Sequence, residues 1–592
     1  MRWLLMGSFT MLNLTYIAAL SWEIPKQIAE QNCKAMPKKH VITVLWHNPV
    51  HSSNAFCGKN PNTLAIDSSK AIYAVIPRES RAAIKDGVAF RLGISPLSST
   101  LLTVQAHDKV RFQDVTNDVG TAEVGFGWHG YHDAITGADW DADGDVDLLV
   151  CVSPHDTGPH KGSARLFLNL LKETGNFSLS DSTEKLMPNG INKYCFADSC
   201  PFFMDIDADG DLDIASISDE MRPAVFRNNG KGIFSLERWG FSAQACIVKD
   251  IDEDGDLDVI GEDTGIVYLN DGTGKYIPKS KALSGHMPRD KILPVPSGIT
   301  VDEETKRLAA SSGHVYYRWE ERDFNGDGLM DYILHLSQAY GFKLARFYAR
   351  QPDGGFKDVS AATGLPLNAA LGFVELSPGE PEAVFAGVNG PEAGFYLGDG
   401  KGHFTKAERS DVDGFLRITS GGCYSLPQVF VDFDNDGILD LVTYQPRVGA
   451  GSAVFRGLGN GRFELVLRTK SGSGQFVADM DNDGRVDIVG SGAKGVRVWR
   501  NVSDPSGAWL RVILRGTGKN TFAVNAVVTA YPAGELGHER RAIARARAGT
   551  AGLPLHLGLG NHRLVDLRVT FPDGKVVDRT AVKTNQTITI EQ

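Results

Sequence analysis

Six short acidic loops dominate the chemistry that this sequence can support. The first, DWDADGDVD, runs from Asp139 to Asp147 and leads directly into the apolar stretch LLVCV. Two carboxylates about 4 Å apart repel each other by roughly 4 kcal/mol at an effective dielectric constant near 20. A bound positive charge is therefore expected to offset this repulsion. The same pattern, D-x-[DN]-x-D-G-x-x-D followed by an apolar strand, begins again at Asp205, Asp250, Asp323, Asp432 and Asp479.

Calcium suits such a loop, because hard cations take six to eight oxygen ligands at about 2.3–2.6 Å. Side chains at positions 1, 3, 5 and 9 and the carbonyl at position 7 supply oxygens, and glycine at position 6 permits the bend. The sequence therefore predicts about six Ca²⁺ sites. Their ligands are Asp139, Asp141, Asp143, Asp145 and Asp147; Asp205, Asp207, Asp209, Asp211 and Asp213; Asp250, Asp252, Asp254, Asp256 and Asp258; Asp323, Asn325, Asp327, Leu329 and Asp331; Asp432, Asp434, Asp436, Ile438 and Asp440; and Asp479, Asp481, Asp483, Arg485 and Asp487.

Two loops vary this pattern, and two other interpretations compete with it. Asn325 replaces a carboxylate, which should weaken its site, whereas Arg485 stands at position 7, where only the carbonyl is needed. An EF-hand would need glutamate at position 12 and flanking helices, and neither occurs here. A solvated acidic turn without metal is the simpler alternative. Six repetitions in one glycine register favour metal binding.

The net charge agrees with this interpretation. The formal charge is −11, but the six loops hold 27 acidic residues and one basic residue. Without these loops the rest of the chain would have a formal net charge of +15. Six calcium ions would bring the whole protein to about +1, so the acidic balance says little about partners.

The loops recur as part of a larger repeat of short strands. Most starts are separated by roughly 45–70 residues, a period typical of β-propellers. One interval is about twice as long and contains ELSPGEPEAVFAG, a degenerate copy with Glu375 and Glu382 near its acidic ends. We therefore expect an all-β fold with a propeller of seven blades. Residues 111–120, near Phe112, are expected to complete the last blade and so remove an open sheet edge.

The chain outside the repeat falls into further segments. Residues 1–21 hold one arginine, an apolar run and small residues, the pattern of a secretory signal peptide; a buried helix is the alternative. Residues 22–108 match no known pattern, and we expect an α+β extension. Residues 109–505 form the predicted propeller, and residues 506–592 are expected to form a β-sandwich-like domain. No later stretch offers 18 unbroken apolar residues, so no transmembrane span is predicted.

Seven cysteines leave at least one unpaired within the chain. Candidate disulfides in an oxidising compartment are Cys195–Cys200 and Cys33–Cys57. Cys151 lies in an apolar strand and is expected to be a buried thiol. N-glycosylation sequons, which matter only in a host that glycosylates secreted proteins, stand at Asn176, Asn501 and Asn585.

A family resemblance follows from these motifs. The acidic loops and their strands resemble FG-GAP/VCBS repeats, which implies that the propeller is integrin-α-like. WLRVILRGTGKN, LHLGLG (555–560) and VDLRVTFPDGK (565–575) resemble the ASPIC/UnbV domain. Together they resemble the cartilage acidic protein family across roughly residues 109–592. The chain departs from it at Asn525, where the family usually has glycine, and at RARAGTAGLP, which replaces an aromatic Leu-Ser-Gln stretch. The resemblance implies a secreted calcium-binding protein, related to matrix proteins and to proteins encoded near bacterial natural-product pathways.

No nucleophile-elbow, zinc-protease or P-loop motif occurs. GFGWHG (125–130) fits G-x-G-x-x-G in form, but no helix-like stretch follows it. Histidines flank the first loop, and His129, His132 and His155 are the candidates for an acid–base or metal site there. Their spacing matches no compact zinc motif, and scattered surface histidines are the alternative.

The sequence thus predicts a secreted, calcium-binding propeller that binds an extracellular protein or glycan, or a small-molecule ligand. No nucleic-acid partner is predicted. The basic strand ERRAIARARAG (539–549) either faces solvent or meets an acidic partner. The alternative function is a calcium-dependent enzyme of cyclase or isomerase type, in natural-product biosynthesis, acting at the central face of the propeller.

Overall fold

The computed structural model places every predicted calcium ligand but only part of the rest of the chain. It describes residues 110–121, 134–152, 162–194, 201–216, 224–237, 246–261, 266–281, 284–286, 292–311, 315–338, 342–388, 390–414, 428–444, 452–468, 475–492, 495–504 and 507–592. All of these lie in the second of two compact units, Gln105–Gln592. The predicted signal peptide and α+β extension lie outside the described residues.

Seven antiparallel sheets follow one another along the chain and form blades 1 to 7. Blade 1 contains β2 (Ala134–Ala138), β3 (Asp147–Cys151), β4 (Ala164–Asn169) and β5 (Leu179–Asp181). Blade 2 contains β6 (Phe202–Met204), β7 (Asp213–Ser216), β8 (Ala224–Asn228) and β9 (Phe234–Glu237). Blade 3 contains β10 (Cys246–Lys249), β11 (Asp258–Gly261), β12 (Ile266–Asn270) and β13 (Tyr276–Lys281).

The remaining blades follow the same order. Blade 4 contains β14 (Ser284–His286), β15 (Val315–Arg322), β16 (Asp331–Gln338), β17 (Lys343–Arg350) and β18 (Phe356–Asp358). Blade 5 contains β19 (Ala370–Val374), β20 (Ala383–Gly387), β21 (Gly394–Gly398) and β22 (Phe404–Lys406). Blade 6 contains β23 (Gln428–Val431), β24 (Asp440–Tyr444), β25 (Ser452–Gly457) and β26 (Phe463–Arg468). Blade 7 contains β27 (Gln475–Ala478), β28 (Asp487–Gly492), β29 (Gly495–Asn501) and β1 (Phe112–Asp114).

Strand β1 comes from the start of the propeller and completes its last blade. It pairs antiparallel with β29, with Phe112 opposite Asn501. Blades 1 and 7 also share an apolar cluster that includes Phe167 and Val498. The predicted seven-bladed, all-β propeller is therefore confirmed, and pairing of β1 covers an edge that would otherwise be open.

Neighbouring blades pack face to face, which explains why their strands are apolar on both sides. All five residues of β3, DLLVC, are buried. Between blades 1 and 2, the ring of Trp140 stacks on Phe203 with centroids 5.2 Å apart. A fully buried Leu or Phe side chain contributes about 1.5–3 kcal/mol, so these layers supply much of the stability.

Helices are few and short in the described residues. They are α1 (Leu171–Thr174), α2 (Thr183–Leu186) and α3 (Glu303–Ala309), with 3₁₀ turns at Pro188–Tyr194, Ser360–Ala362, Asp411–Gly414 and Glu539–Arg541. Asp302 caps α3 by accepting the Thr305 main-chain N–H at 2.8 Å. None of the described helices is long and apolar enough to cross a bilayer.

The carboxyl-terminal domain consists of two sheets around one core. One sheet contains β33 (Leu555–Gly558), β30 (Trp509–Arg515) and β36 (Gln586–Glu591), in that order. The other contains β32 (Ala544–Arg547), β31 (Val527–Pro532), β34 (Leu564–Thr570) and β35 (Val576–Lys583). Leu510 and Val512 of the first sheet pack with Val528 and Leu567 of the second. The predicted sandwich is confirmed, although its β30–β36 pairing is parallel and was not expected.

Candidate metal centres

Each acidic loop joins the first two strands of its blade, or the second and third strands in the five-stranded blade 4. All six loops share one hydrogen-bond scaffold. The carboxylate at position 1 accepts the main-chain N–H of the glycine at position 6. The carboxylate at position 5 likewise accepts the N–H of position 7, at 2.8–3.0 Å. The glycine donors, with their distances to position 1, are Gly144 (3.1 Å), Gly210 (3.1 Å), Gly255 (3.1 Å), Gly328 (2.9 Å), Gly437 (2.7 Å) and Gly484 (2.9 Å).

Main-chain geometry accounts for the glycine at position 6. Its φ angle lies between 83° and 100° in all six loops, in the left-handed region that side chains disfavour. Position 4 is also left-handed, as at Ala142 with φ 60°. The two bends fold the carboxylates toward one centre.

The aspartate at position 9 begins the strand that follows the loop and accepts a hydrogen bond from the end of the next strand. In the first loop, Asp147 Oδ1 accepts the Asn169 main-chain N–H at 2.8 Å. The equivalent donors in the other loops are Asn228, Asn270, Arg350, Gly457 and Asn501, at 2.7, 2.8, 2.8, 2.7 and 2.7 Å. Position 9 is therefore a structural anchor as well as a predicted ligand.

Four buried asparagines each link one blade to the acidic loop of the preceding blade, a feature that was not predicted. They are Asn169, Asn228, Asn270 and Asn501. Each donates through Nδ2 to the main-chain oxygen at position 2 of the neighbouring loop. In that order the acceptors are Met480, Trp140, Ile206 and Phe433, at 2.9, 2.8, 3.0 and 2.9 Å. The recurring words FLN, FRN, YLN and WRN were the available signal.

The carboxylate oxygens converge at distances that suit one cation. In Asp139, Asp141 and Asp143, one oxygen from each lies within 4.8 Å of the others. The same holds for the first three acidic positions of the Asp205 and Asp250 loops and for Asp432 with Asp434 and Asp440. Ligands at about 2.3–2.6 Å from a central calcium ion would be at most about 5 Å apart, so the spacing fits.

Several of these oxygens are buried without a hydrogen-bond partner among the described residues. They are Oδ1 of Asp139, Asp141, Asp145, Asp207, Asp250 and Asp434, and Oδ2 of Asp147 and Asp331. Buried polar atoms are nearly always paired, so orphaned carboxylate oxygens at ligand positions call for an ion. Asp, Asn and main-chain oxygens are the donor set that calcium prefers.

Burial also raises the free energy needed to ionise the loop carboxylates. Burial, with repulsion from Asp143 and Asp139, raises the pKa of Asp141 to about 6. Burial raises the pKa of Asp147 to about 10. Burial and neighbouring carboxylates raise the pKa values of Asp432, Asp440 and Asp487 well above the ordinary value. A divalent cation would favour the ionised forms and reverse these shifts.

Arginine lies against the carboxylates in three loops. The next-to-last residue of the third strand is arginine in blades 2, 6 and 7, namely Arg227, Arg456 and Arg500. Arg227 Nη1 lies 2.8 Å from Asp213 Oδ2, and Arg456 Nε lies 2.8 Å from Asp434 Oδ2. Leucine stands at this position in blades 1 and 3. The Asp139 loop should therefore hold calcium more tightly.

The degenerate loop of blade 5 pairs its acidic residues with arginine. Glu382 lies 2.5 Å from Arg322 Nη1, on blade 4. Glu375 lies 2.5 Å from Arg545 Nη1, on the carboxyl-terminal domain. Guanidinium groups thus neutralise the two glutamates, which agrees with a blade that holds no metal. The basic strand that contains Arg545 meets acidic residues of this same chain.

The carboxyl-terminal domain packs directly on the acidic loops. Arg511 Nη1 lies 3.0 Å from Asp479 Oδ2, and Lys519 Nζ lies 2.8 Å from Asp256 Oδ2. The Thr521 hydroxyl donates to Asp205. Asn525, where the family usually has glycine, adopts φ 70° and donates to the Val248 oxygen at 3.0 Å. Asparagine tolerates this left-handed conformation, so the departure from glycine is accommodated.

One acidic group near the first loop was not foreseen. Glu173, on α1, lies with Asp143 and Asp145 in a second cluster of carboxylate oxygens within 4.8 Å. Asp145 Oδ2 accepts the Lys172 main-chain N–H at 2.9 Å, so this side chain is held near the loop. The motif ends at position 9 and gives no signal for a residue on a later helix.

The other predicted features are buried, exposed or outside the described residues. The sequons at Asn176 and Asn585 are exposed. Cys151 is buried as predicted. Asn501 is 0% exposed and its Nδ2 donates to two carbonyls, so this sequon cannot accept a glycan in the folded protein. The features that lie outside the described residues are His129, His132, His155, the GFGWHG stretch and the candidate disulfides Cys33–Cys57 and Cys195–Cys200.

Two protein families match parts of the chain. The ASPIC and UnbV family matches residues 516–592, which cover most of the carboxyl-terminal domain. An FG-GAP-like repeat matches residues 205–261, which run from the acidic loop of blade 2 to β11 of blade 3. The resemblance inferred from the motifs is confirmed in these segments.

Curated relatives include cartilage acidic protein 1 from two mammals. The Mus musculus protein is 26% identical over 268 residues, covering 41% of this chain and 40% of its own length. The Homo sapiens protein is 26% identical over 258 residues, covering 38% and 37%. The chain thus spans about two fifths of the length of the curated relatives it matches.

Similarity to solved structures is weak. The complex of BBS1N with ARL6DN contains a chain with a TM-score of 0.32 and 9% identity, covering 64% of this chain and 94% of that one. The extracellular domain of the two component system BT4673 from B. thetaiotaomicron has a TM-score of 0.30 and 10% identity, covering 81% and 59%. Scores at this level carry no argument, and the fold rests on the strand pairing described above.

Proposed function

We propose that this chain, which shares an FG-GAP-like repeat and an ASPIC and UnbV segment with known families, is a secreted calcium-binding propeller. Its role is to bind an extracellular protein or glycan. The calcium part rests on the hydrogen-bond scaffold that the six loops share. Buried carboxylate oxygens in these loops lack a partner among the described residues. In the Asp139, Asp205, Asp250 and Asp432 loops, three carboxylates also converge within 4.8 Å. The loops of five blades also bond to neighbouring blades or to the carboxyl-terminal domain, so metal binding would stabilise the whole unit.

Secretion rests on the signal-like residues 1–21 and on similarity to cartilage acidic protein 1. We propose that cleavage leaves a mature chain with an α+β extension (22–108), the propeller (109–505) and the carboxyl-terminal domain (506–592). Expression with the native amino terminus, followed by sequencing of the secreted protein, tests this division. A product that stays in the cell or keeps residues 1–21 contradicts it.

The calcium part is tested by thermal unfolding at fixed pH in calcium and in excess chelator. A ligand at 100 times its Kd stabilises the folded state by about 2.7 kcal/mol per site, so calcium should raise the melting temperature clearly. Magnesium serves as a control, because it demands a smaller octahedral site and should raise the melting temperature much less. The same melting temperature in calcium and chelator would overturn the metal assignment.

The binding part is tested on immobilised matrix proteins and on a glycan array. The full chain is compared in calcium and in chelator. A double variant, Asp440→Asn with Asp487→Asn, reports whether binding needs loaded loops in blades 6 and 7. Calcium-dependent, saturable binding is expected. Binding no stronger than that of an unrelated protein of equal charge contradicts the proposed role.

A further inference from the structure

A cavity of about 480 Å³ lies between the propeller and the carboxyl-terminal domain. Its propeller wall comes from the first strands of blades 6 and 7, including Val431 and Val477. The opposite wall is the segment from Arg547 to His556, which supplies Leu553 and Pro554. Sites for small organic molecules usually measure about 300–1,000 Å³ and are mostly apolar with a few polar groups. This cavity has that size and that composition.

The polar groups of the cavity give it a net positive charge. Arg511 is only 6% exposed and its Nη1 lies 3.0 Å from Asp479 Oδ2 and 2.5 Å from Asn482 Oδ1. Arg511 and Asp479 therefore neutralise each other. Arg547, exposed at the rim, donates to the Asn525 main-chain oxygen at 3.2 Å and adds a positive charge. An occupied Asp479 loop would add more.

His556 offers the cavity an acceptor. Its Nε2 lies 2.7 Å from Asn435 Oδ1, and Asn435 Nδ2 donates to the Gly484 oxygen, which fixes the orientation of the amide. The imidazole therefore carries its hydrogen on Nε2. Its Nδ1 is buried and has no partner among the described residues. Burial and the Arg511 guanidinium lower the pKa of His556 to about 4, so the ring is neutral at physiological pH.

We propose that this cavity binds an amphipathic organic anion that carries an N–H or O–H donor. The apolar walls hold its hydrocarbon part, Arg547 attracts its negative group, and the Nδ1 lone pair of His556 accepts its donor. A glycan lacks the apolar bulk for these walls, and a protein surface cannot enter a space of this size. The inference goes beyond the proposed function, because the cavity lies between two parts of the same chain and takes a small molecule.

The test uses two fluorescent probes that differ by one charged group. 8-Anilinonaphthalene-1-sulfonate is an amphipathic anion with an N–H donor, and N-phenyl-1-naphthylamine is the same molecule without the sulfonate. Both are titrated into the calcium-saturated full chain. We expect one saturable site that binds the sulfonate at least ten-fold more tightly.

Three variants locate the site. Arg547→Gln should remove most of the preference for the anion and leave the neutral probe unchanged. Arg579→Gln is the matched control, because Arg579 is also exposed and also donates to one main-chain oxygen, that of Asp578. Leu553→Trp fills the cavity and should abolish binding of both probes. Melting temperatures of all variants are measured alongside, so that probe binding to unfolded protein is recognised.

The proposal is overturned by any of three results. These are non-saturable binding of the sulfonate, equal loss in Arg547→Gln and Arg579→Gln, and unchanged binding in a folded Leu553→Trp variant. Failure of calcium to raise the melting temperature would not produce these results, so the two proposals fail separately.

Discussion

The substitution Asp147→Asn should separate the two roles of position 9. Asp147 is 1% exposed, its Oδ1 accepts the Asn169 N–H at 2.8 Å, and its Oδ2 is unpartnered. Asparagine has nearly the same shape as the protonated acid. It removes one charged ligand from the first loop and should leave the strand packing intact.

The expected effect of Asp147→Asn on the free energy of unfolding differs between calcium and chelator. Burial raises the pKa of Asp147 to about 10, so without calcium the folded carboxyl is protonated at pH 7 while the unfolded one is ionised. That difference costs at most about 4 kcal/mol (3.2 pH units at about 1.36 kcal/mol each), and asparagine removes it. In calcium at 100 times the Kd, the variant loses about 2.7 kcal/mol of stabilisation from this loop.

The assay is the difference in melting temperature between saturating calcium and chelator, measured for both proteins. Asp147→Asn should melt higher than wild type in chelator and show a smaller calcium-induced rise. Asp566→Asn is the matched control, because Asp566 is 3% exposed and accepts two main-chain N–H groups outside the loops. It should destabilise equally in both conditions. An undiminished calcium-induced rise in Asp147→Asn would show that Asp147 is not a calcium ligand.

Three further predictions follow from the same contacts. In chelator, the free energy of unfolding should fall as pH rises from about 4 to 7. Burial raises the pKa of Asp213 to about 7 and of Asp479 to about 6. The folded state therefore keeps protons that the unfolded chain has released. Melting curves at several pH values check this, and a flat profile in chelator or the same slope in saturating calcium contradicts it. Asn270→Ala removes donors to the Ile206 and Leu257 oxygens and should lower the free energy of unfolding by about 1–3 kcal/mol, measured by denaturant titration in saturating calcium. An effect no larger than that of Asn176→Ala, at an exposed asparagine, contradicts the link between blades. Arg456→Met removes a guanidinium from Asp434 and should tighten one of the calcium sites measured by calorimetry at least ten-fold, since unit charges about 4 Å apart interact by roughly 4 kcal/mol near the surface. Arg462→Met, which only loses an ion pair with Glu408, should leave every site unchanged, and equal effects of the two variants contradict the prediction.

The propeller was predictable because its signals are local and repeated. The glycine at position 6, the aspartate at position 9 and the strand that follows can be read within a dozen residues, and the spacing of the loops then gives the number of blades. Closure by β1 was also predictable, because the last unit lacked a strand of its own. The degenerate copy at Glu375 could be placed by the glycine turn that follows it.

Contacts between segments distant in sequence were not predictable in the same way. The parallel β30–β36 pairing joins the two ends of the carboxyl-terminal domain, and no turn signal specifies it. The arginines near Asp213 and Asp434 look like ordinary surface residues in a strand. The packing of Arg511 and Lys519 on the acidic loops depends on where a whole domain docks. The asparagine links had a visible motif, but their meaning appears only when two blades lie side by side.

The most direct test of the central claim is the number of calcium ions that the full chain binds. Equilibrium dialysis with radioactive calcium, on protein first stripped with chelator, measures this number without reference to stability. We expect one ion for each of the six loops and one fewer for Asp147→Asn. A wild-type chain that binds no calcium, or the same number of ions as Asp147→Asn, would contradict it.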